Sequence, residues 1–207
     1  VISMKKMDLR VVKTLKSIDE ALLAELQEKQ FQNVTVESIC RRAQINRTTF
    51  YKHYKDKFEL LNNYLDRFLD EFDENCKKIF EEIEYTGNIH QDISSIGSRK
   101  TTDYIIQRRE FCRVLWDQNF GRNCFREMVL IMAKDYKEFR LKNSPEIAGD
   151  PKKYSILTLF SGIFAATYMH SIRWWILNEP IVSEKEFNDM FCNILQNGLA
   201  SVFKELI

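Results

Sequence analysis

The most constraining feature of this 207-residue sequence is a long run of apolar residues at helical spacing between positions 58 and 80. Its members recur every three or four residues over about six helical turns. They are Phe58, Leu61, Tyr64 or Leu65, Phe68, Phe72, Cys76 and Phe80. The same spacing predicts helices over 102–119, 122–142, 152–177 and 183–203, and nothing alternates convincingly with the period of two that strands require. The spacing therefore predicts an all-α protein.

The composition agrees with a helical globular protein. Only three prolines and six glycines interrupt the chain, which favours long helices over short strands and turns. Hydrophobic residues make up 44% of it, so intrinsic disorder is not expected. The five cysteines are scattered without a CxxC pair, which argues against a disulfide framework or a structural zinc site and for a reducing cytosol. The N-terminal residues lack the apolar region of a secretory signal, so we expect a cytoplasmic protein.

Two short helices separated by a tight turn are predicted between residues 35 and 54. Thr35 is a good N-cap, and the residues that follow it place their apolar side chains on one helical face. Asn46 is a second N-cap, and Phe50 and Tyr54, four positions apart, can both reach the core. A short helix, a tight turn and a second short helix have the geometry of a helix-turn-helix.

The charge distribution suggests that this segment meets a polyanion. Residues 1–57 carry 12 basic and 7 acidic side chains, whereas the rest of the chain carries 19 and 23. Arg47, Thr48 and Thr49 follow the second cap, where base edges would lie in a DNA major groove. The next turn, and the free N–H groups after Thr35, would contact phosphates. The alternative is a solvated basic face, because helix-turn-helix geometry also occurs in proteins that never touch DNA. The candidate DNA-binding residues are Thr35, Arg47, Thr48, Thr49, Tyr51, Lys52, His53, Lys55 and Lys57.

The segment TVESICRRAQINRTTFYKHYKDKFELL resembles the N-terminal domain of the TetR family of bacterial transcriptional regulators. The matching positions keep the order of that domain: a hydroxyl cap, a helix, a turn, a cap, a short recognition helix and a lysine that opens a long helix. They are Thr35, Ile39, Ala43, Ile45, Asn46, Thr49, Phe50, Tyr51, His53, Tyr54, Lys57 and Leu60. Two positions depart from the family. Gln44 replaces the usual turn glycine, so it must adopt a left-handed conformation or distort the turn, and Thr48 stands where the recognition helix often has glycine.

The resemblance implies about nine helices, with a helix-turn-helix DNA-binding domain over 1–57 and a helical ligand-binding and dimerisation domain over 58–207. It also implies a homodimer, built from the last two helices, that binds a near-palindromic double-stranded operator. The stretch GIFAATYMHSIRWWILNEPIVSEKEF looks like a C-terminal region found in a subset of the family. Helix 152–177 is apolar on more than one face, which an internal core helix would explain equally well. The candidate interface residues are Phe160, Ile172, Trp175, Phe187, Phe191, Ile194, Leu195 and Leu199.

In this family the larger domain usually holds a pocket for a small-molecule effector, whose binding shifts the long fourth helix so that the two recognition helices no longer match successive grooves of the DNA. The candidate pocket residues here are Phe111, Trp116, Phe120, Phe164, Tyr168, His170 and Trp174. The alternative is that these aromatic residues form an ordinary core. Cys112 and Cys124 lie on neighbouring predicted helices, where a redox pair is conceivable but buried, inert thiols are the more typical arrangement.

Residues 154–172 form an uncharged stretch that we tested as a membrane span. Six Ser, Thr and His residues within it make a buried helix the better interpretation, so no membrane association is expected.

Enzyme classes find little support in the sequence. The three histidines are not spaced as metal ligands, and no GxSxG, Walker-type or GxGxxG segment occurs, so we expect neither catalysis nor a cofactor. The leading hypothesis is a repressor that a small molecule releases from DNA. The alternatives are an activator that docks a protein partner through its C-terminal domain and a thiol redox-sensing regulator.

Overall fold

The computed structural model describes residues 8–83, 98–117, 120–178 and 182–197. Within these ranges the chain forms nine α-helices and two short 3-10 helices and contains no strand, which confirms the predicted all-α class. The α-helices are α1 (Leu9–Glu28), α2 (Val36–Arg42), α3 (Arg47–Tyr51), α4 (Lys57–Glu82), α5 (Ser98–Ile106), α6 (Arg109–Asp117), α7 (Cys124–Asn143), α8 (Pro151–Asn178) and α9 (Glu184–Asn197). The predicted loop over 85–100 and the predicted end of the last helix lie largely outside the described residues.

The chain divides into two compact units. The N-terminal unit comprises Val1–Phe68 and Asp117–Arg122, and the C-terminal unit comprises Leu69–Trp116 and Asn123–Ile207. The division therefore falls inside α4, not at residue 57 where that helix begins. The reason is that the first turns of α4 bury leucine side chains in the N-terminal core, and these are Leu60, Leu61 and Leu65.

The N-terminal unit is held together by one apolar face from each of its helices. Ile18 and Leu22 of α1, Ile39 of α2 and Phe50 of α3 are completely buried. Burial of such side chains stabilises a fold by about 1.5–3 kcal/mol each.

An ion-pair network also joins α1 to α2. Arg42 donates from Nε to the buried Glu25 at 3.0 Å and from Nη2 to Glu28 at 2.6 Å. Burial disfavours the charged form of Glu25, but hydrogen bonds from Lys29, Ser38 and Arg42 outweigh it and lower the pKa of the carboxyl.

The C-terminal unit has an aromatic core between α7, α8 and α9. Tyr136 lies 4.8 Å from Phe164, and Tyr168 lies 4.8 Å from Phe191, measured between ring centroids. The buried Thr102 hydroxyl joins α5 to this core, through Tyr168 at 2.7 Å and Asn188 at 3.1 Å. Satisfied buried hydrogen bonds of this kind favour one packing arrangement over others.

The prediction of one continuous helix over 102–119 is wrong. The chain turns between α5 and α6, where Arg108 donates its N–H to the carbonyl of Ile105 at 3.0 Å. The Arg108 guanidinium lies 3.9 Å from the ring centroid of Tyr104, which stabilises this turn.

Helix α8 contains the stretch that the sequence presented as a possible membrane span. Among the described residues, only α8 is long and apolar enough to cross a membrane. In the 18-residue apolar window of α8 that meets this test, 39% is buried inside the protein. A core helix passes the same test of length and composition, so this is weak evidence for a span.

Candidate nucleic-acid interface and regulatory surfaces

The first helix of the helix-turn-helix is fixed by a reciprocal cap. The Oγ1 of Thr35 accepts from the N–H of Ser38 at 3.0 Å, and the Oγ of Ser38 accepts from the N–H of Thr35 at 3.2 Å. This confirms Thr35 as the predicted N-cap of α2. The cap occupies one of the first N–H groups of α2 that we expected to meet a phosphate.

The turn between α2 and α3 is closed by a residue in the left-handed conformation. Gln44 has φ +55°. Of the two alternatives predicted for this replacement of the turn glycine, the residue adopts the left-handed conformation and the turn is not distorted. The N–H of Ile45 donates to the carbonyl of Cys40 at 3.0 Å, and that of Gln44 to Arg41 at 3.3 Å. This pair of hydrogen bonds is a Schellman motif, which ends α2 and sets the direction of α3.

The short helix α3 is anchored by its apolar side and presents its polar side to solvent. Phe50 is completely buried and Tyr54 is 5% exposed, with their ring centroids 5.8 Å apart. Because these two rings fix the helix, Arg47 and Thr48 are exposed and Thr49 is half-buried. Neighbouring predicted contacts are also accessible: Tyr51, Lys52 and Lys55 are exposed and His53 is half-buried.

The structure adds one detail at the N-cap of α3 and one at Lys55. Asn46 occupies the N-cap position of α3, but its side chain makes no capping hydrogen bond. Lys55 donates its backbone N–H to the carboxylate of Glu59 at 2.6 Å, so the chain around this lysine is fixed at the start of α4.

Lys57, a predicted phosphate contact, is used inside the protein. Its Nζ donates to three backbone carbonyls, those of Phe31 at 2.9 Å, Gln32 at 3.0 Å and Val34 at 2.7 Å. The same ammonium lies 4.7 Å from the ring centroid of Phe31. Since an ammonium has three N–H donors, all of them are occupied. Burial lowers the pKa of Lys57, and its position ties the loop before α2 to the start of α4.

The candidate recognition helix has an acidic partner that was not predicted from the sequence. Arg47 donates from Nη2 to Oε2 of Glu37 at 2.6 Å, across the two helices of the motif. Both side chains are well exposed, at 58% and 70%, so the pair contributes little to stability. An acidic residue in the first turn of α2 was the available signal, because it faces the end at which Arg47 begins α3.

The seven residues predicted to line an effector pocket do not converge on one site. Trp116, Phe164 and Tyr168 are buried in the C-terminal core, and Phe111 is half-buried. Phe120 belongs to the N-terminal unit, where its ring centroid lies 5.8 Å from that of Phe31. Placing it in the larger domain was wrong, because the chain returns to the N-terminal unit over 117–122.

His170 and Trp174 line a surface groove between α8 and α9 with a volume of about 390 Å³. The other lining residues are Thr167, Ser171, Trp175, Val182, Phe187 and Met190. His170 is exposed, and its Nδ1 lies 2.8 Å from the carbonyl oxygen of Ala166. Its ring is perpendicular to that of Phe125, with the two ring centroids 4.8 Å apart. It is thus a histidine at the surface and not within the core.

Most of the described residues of the predicted dimer set face inward. Ile172, Phe187 and Phe191 are at most 2% exposed, so they pack within the protomer and are not available to a partner. Trp175 packs on Phe187 at 5.5 Å and donates from Nε1 to Val182, and Ile194 is half-buried. The side chain of Leu195 and all of Leu199 lie outside the described residues.

A different face of α8 is exposed and apolar. At 100° per residue its members fall on one stripe of the helix. They are Ile156, Leu159, Phe160, Ile163 and Trp174, each between 38% and 65% exposed. Phe160 is the member of this stripe that belongs to the predicted interface set.

Cys112 and Cys124, the two cysteines considered above as a redox pair, are not joined by a disulfide. Cys112 and Cys124 are both buried, and burial raises the pKa of Cys112, with Cys124 adding to the effect. A high pKa disfavours the reactive thiolate.

Comparison with known proteins adds a family relationship. Residues 18–64 match the model of bacterial regulatory proteins of the tetR family. The chain is 42% identical over 64 residues to the uncharacterized HTH-type transcriptional regulator YxbF of Bacillus subtilis (strain 168). That match covers 30% of this chain and only 17% of the relative, so the two share one segment.

Solved structures show that the fold as a whole is shared. One is described as a TetR-family transcriptional regulator from Syntrophomonas wolfei str. Goettingen, with 16% identity, a TM-score of 0.67 and coverage of 91% of this chain and 97% of that one. Another is the dihydroxyacetone kinase operon activator DhaS, with 15% identity, a TM-score of 0.51 and coverage of 92% and 97%. At these identities the likeness shows the fold alone.

Proposed function

We propose that this chain, which belongs to the tetR family of bacterial transcriptional regulators, is a homodimeric repressor that a small-molecule effector releases from a near-palindromic operator. The observation that carries the proposal is the anchoring of α3. Phe50 and Tyr54 are buried, so Arg47 and Thr48 are held on an accessible surface at the start of the helix. A recognition helix requires this combination of a fixed backbone and accessible polar side chains at its N-terminal end.

The exposed side chains of α3 divide into base readers and phosphate contacts. Arg47 can pair in bidentate fashion with guanine once it leaves Glu37, and the methyl groups of Thr48 and Thr49 can pack on thymine. Tyr51 and a short basic group would contact phosphates on either side of the groove. That group consists of Lys52, His53 and Lys55. Lys57 would act indirectly in this proposal, by fixing the loop before Thr35.

Dimerisation is supported by the apolar stripe of α8. Soluble monomers rarely expose a contiguous apolar patch of more than a few hundred Å². A two-fold partner would cover the stripe and place two recognition helices about 34–36 Å apart, one helical turn of DNA.

Effector release is supported by the continuity of α4. This helix begins next to the helix-turn-helix at Lys57 and ends in the C-terminal unit at Glu82. A ligand that binds the C-terminal unit better in one position of α4 than in another would therefore bias the placement of α3. We place the working protein in the bacterial cytoplasm, bound to the nucleoid when it occupies its operator.

The test is a selection of genomic DNA fragments by the purified full-length protein, followed by binding titrations on the recovered site. We expect sub-micromolar binding to a near-palindrome, with log affinity falling linearly as log salt rises. Arg47→Ala should cost about 1–3 kcal/mol and relax preference at one base pair. The control is Lys78→Ala, an exposed lysine of the C-terminal unit.

Recovery of fragments without a shared sequence would contradict the proposal. So would equal effects of Arg47→Ala and Lys78→Ala. A reporter gene placed behind the recovered site measures the sign of regulation. A fall in transcription supports repression, whereas a rise would replace it with activation, the role stated in the name of the structurally similar dihydroxyacetone kinase operon activator.

A further inference from the structure

The C-terminal unit contains a cavity of about 200 Å³ between α4 and α7. It contains none of the residues that the sequence predicted for a pocket. Its lining combines carboxylates, two aromatic rings and two lysines. These residues are Lys77, Phe80, Glu81, Ile83, Asp135, Glu138, Phe139, Lys142 and Asn143.

Asp135 is the feature of this cavity that ordinary packing does not explain. Asp135 is 3% exposed, and apart from an ion pair with Lys134 neither carboxylate oxygen has a hydrogen-bond partner among the described residues. The ammonium of Lys134 lies 3.3 Å from Oδ1, but it is nearer to Asp73, at 2.5 Å, and is 45% exposed. One lysine therefore serves two carboxylates, and buried carboxylates without sufficient partners are costly.

The ionisation of Asp135 reflects this shortage of partners. Burial, and next the charge of Asp73, raise the pKa of Asp135 to about 6, although Lys134 and Lys77 act in the opposite direction. A cation placed in the cavity would stabilise the ionised form, which the protein by itself holds at a cost.

The remaining walls suit a cation with an apolar body. The rings of Phe80 and Phe139 are stacked with centroids 5.7 Å apart, and such faces attract cations. Glu81 and Glu138 add two exposed carboxylates at the cavity. Lys77, one of the two lining lysines, donates to Asp73 and is thereby held by an acidic partner.

We propose that this cavity binds a small organic cation, a protonated amine on an apolar body, with Asp135 as its counter-ion. Because both carboxylate oxygens are buried, the Asp135 side chain would rotate toward the cavity to accept hydrogen bonds from the ligand, while Phe80 and Phe139 contact its apolar part. The cavity is smaller than drug-sized sites of about 300–1,000 Å³, which favours an amine with a single ring. The inference rests on the proposed function, because this amine would be the class of effector that releases the operator.

The experiment compares three probes of one size by calorimetric titration of the full-length protein at pH 7.5. Benzylamine is the cation, benzyl alcohol the neutral probe and benzoate the anion. We expect benzylamine to bind at least about tenfold more tightly than either of the others, because an ion pair with a desolvated carboxylate forms only with the amine. Asp135→Asn should lower benzylamine affinity by at least about tenfold.

Asp70→Asn is the matched control, since it removes the same charge from an exposed position on α4. It should leave benzylamine binding unchanged. Equal binding of the three probes, no binding of benzylamine, or equal effects of the two substitutions would each overturn the inference.

The failure of the cavity and the failure of the proposed function are distinguishable by DNA titrations run in parallel. If the protein binds its selected operator but not benzylamine, the cavity inference fails and the regulator stands. If benzylamine binds and weakens operator binding, the effector assignment is supported. If it binds and leaves operator affinity unchanged, that assignment is overturned. If no DNA sequence is selected, the proposed function fails whatever the amine does.

Discussion

The side chain of Lys57, at the start of α4, holds the loop that precedes α2. Replacing it with methionine keeps the length and apolar stem but removes the ammonium from the carbonyls of Phe31, Gln32 and Val34. We expect Lys57→Met to lower the free energy of unfolding by about 1.5–3 kcal/mol, because hydrogen bonds to a charged group are lost. Urea denaturation measures this change.

The control is Lys55→Met, which alters an exposed lysine two residues earlier and should change stability by less than about 0.5 kcal/mol. Equal stabilities of the two variants would show that the three hydrogen bonds of Lys57 contribute nothing net. The DNA affinity of Lys57→Met should fall only through the loosened loop, so its salt dependence should keep the slope of the unsubstituted protein.

Asp135 makes the folded protein less stable as the pH rises, whereas an acid held in a salt bridge makes it more stable. Its pKa is raised from 3.8 to about 6 in the folded protein, so the unfolded chain ionises first as the pH rises. The free energy of unfolding is therefore highest below pH about 3.8, where Asp135 is protonated in both states. It falls as the pH rises through about 6, where Asp135 ionises in the folded protein. We therefore expect Asp135→Asn to be more stable than the unsubstituted protein by about 3 kcal/mol at pH 7.5 and by only about 0.5 kcal/mol at pH 4.

Urea denaturation of both proteins at several pH values checks this prediction. Taking the difference between them cancels most of the contribution of other titrating groups that face Asp135, including Asp73, whose pKa is lowered. A difference that does not vary between pH 4 and pH 7.5 would mean that Asp135 is ionised as readily in the folded protein as in the unfolded chain.

At the scale of elements, the turn between α2 and α3 carries a small backbone strain. Gln44 has φ +55°, a conformation that costs a residue with a Cβ about 1 kcal/mol and costs glycine little. Gln44→Gly should therefore raise the free energy of unfolding by about 0.5–1 kcal/mol. Gln44→Ala keeps the Cβ and should give no such gain. Thermal denaturation separates the two variants, and identical midpoints would remove strain at this position as an explanation.

The elements that could be predicted from the sequence depend on neighbours within a few positions. The cap at Thr35 and the burial of Phe50 and Tyr54 follow from local spacing, and the same spacing limited Gln44 to a left-handed conformation or a distorted turn. The role of Lys57 could not be predicted, since its acceptors lie 23 to 26 positions earlier in the chain.

Helix α8 shows a second limit of sequence patterns. Because it is apolar around most of its circumference, periodicity cannot decide which face meets the core. Ile172, a predicted interface residue, is therefore buried, whereas Ile163, which was not predicted, is 56% exposed. The cavity lined by Asp135 could not be predicted for a related reason, because an aspartate on a charged helix gives no sign of burial until α4 and α7 pack together.

For the whole molecule, the exposed stripe of α8 makes a direct prediction about assembly. Ile163 lies near its middle, with Leu159 and Phe160 one turn before it. A carboxylate at this position would have to be buried without a partner if two stripes pack together. We expect Ile163→Glu to convert a dimer into a folded monomer, as measured by analytical ultracentrifugation and circular dichroism. Affinity for the complete palindrome should then fall by at least about a hundredfold, while affinity for a single half-site is retained.

The matched control is Thr158→Glu, which introduces the same charge on α8. Thr158 is also exposed, but at 100° per residue it lies on the side of the helix opposite the stripe. It should leave the dimer and its operator affinity intact. A monomeric unsubstituted protein, or an Ile163→Glu protein that sediments as a dimer, would show that the stripe is not the interface. Loss of the dimer in both variants would mean that charge anywhere on α8 disrupts assembly, because a stripe-specific contact predicts different outcomes for two exposed positions on opposite faces of one helix.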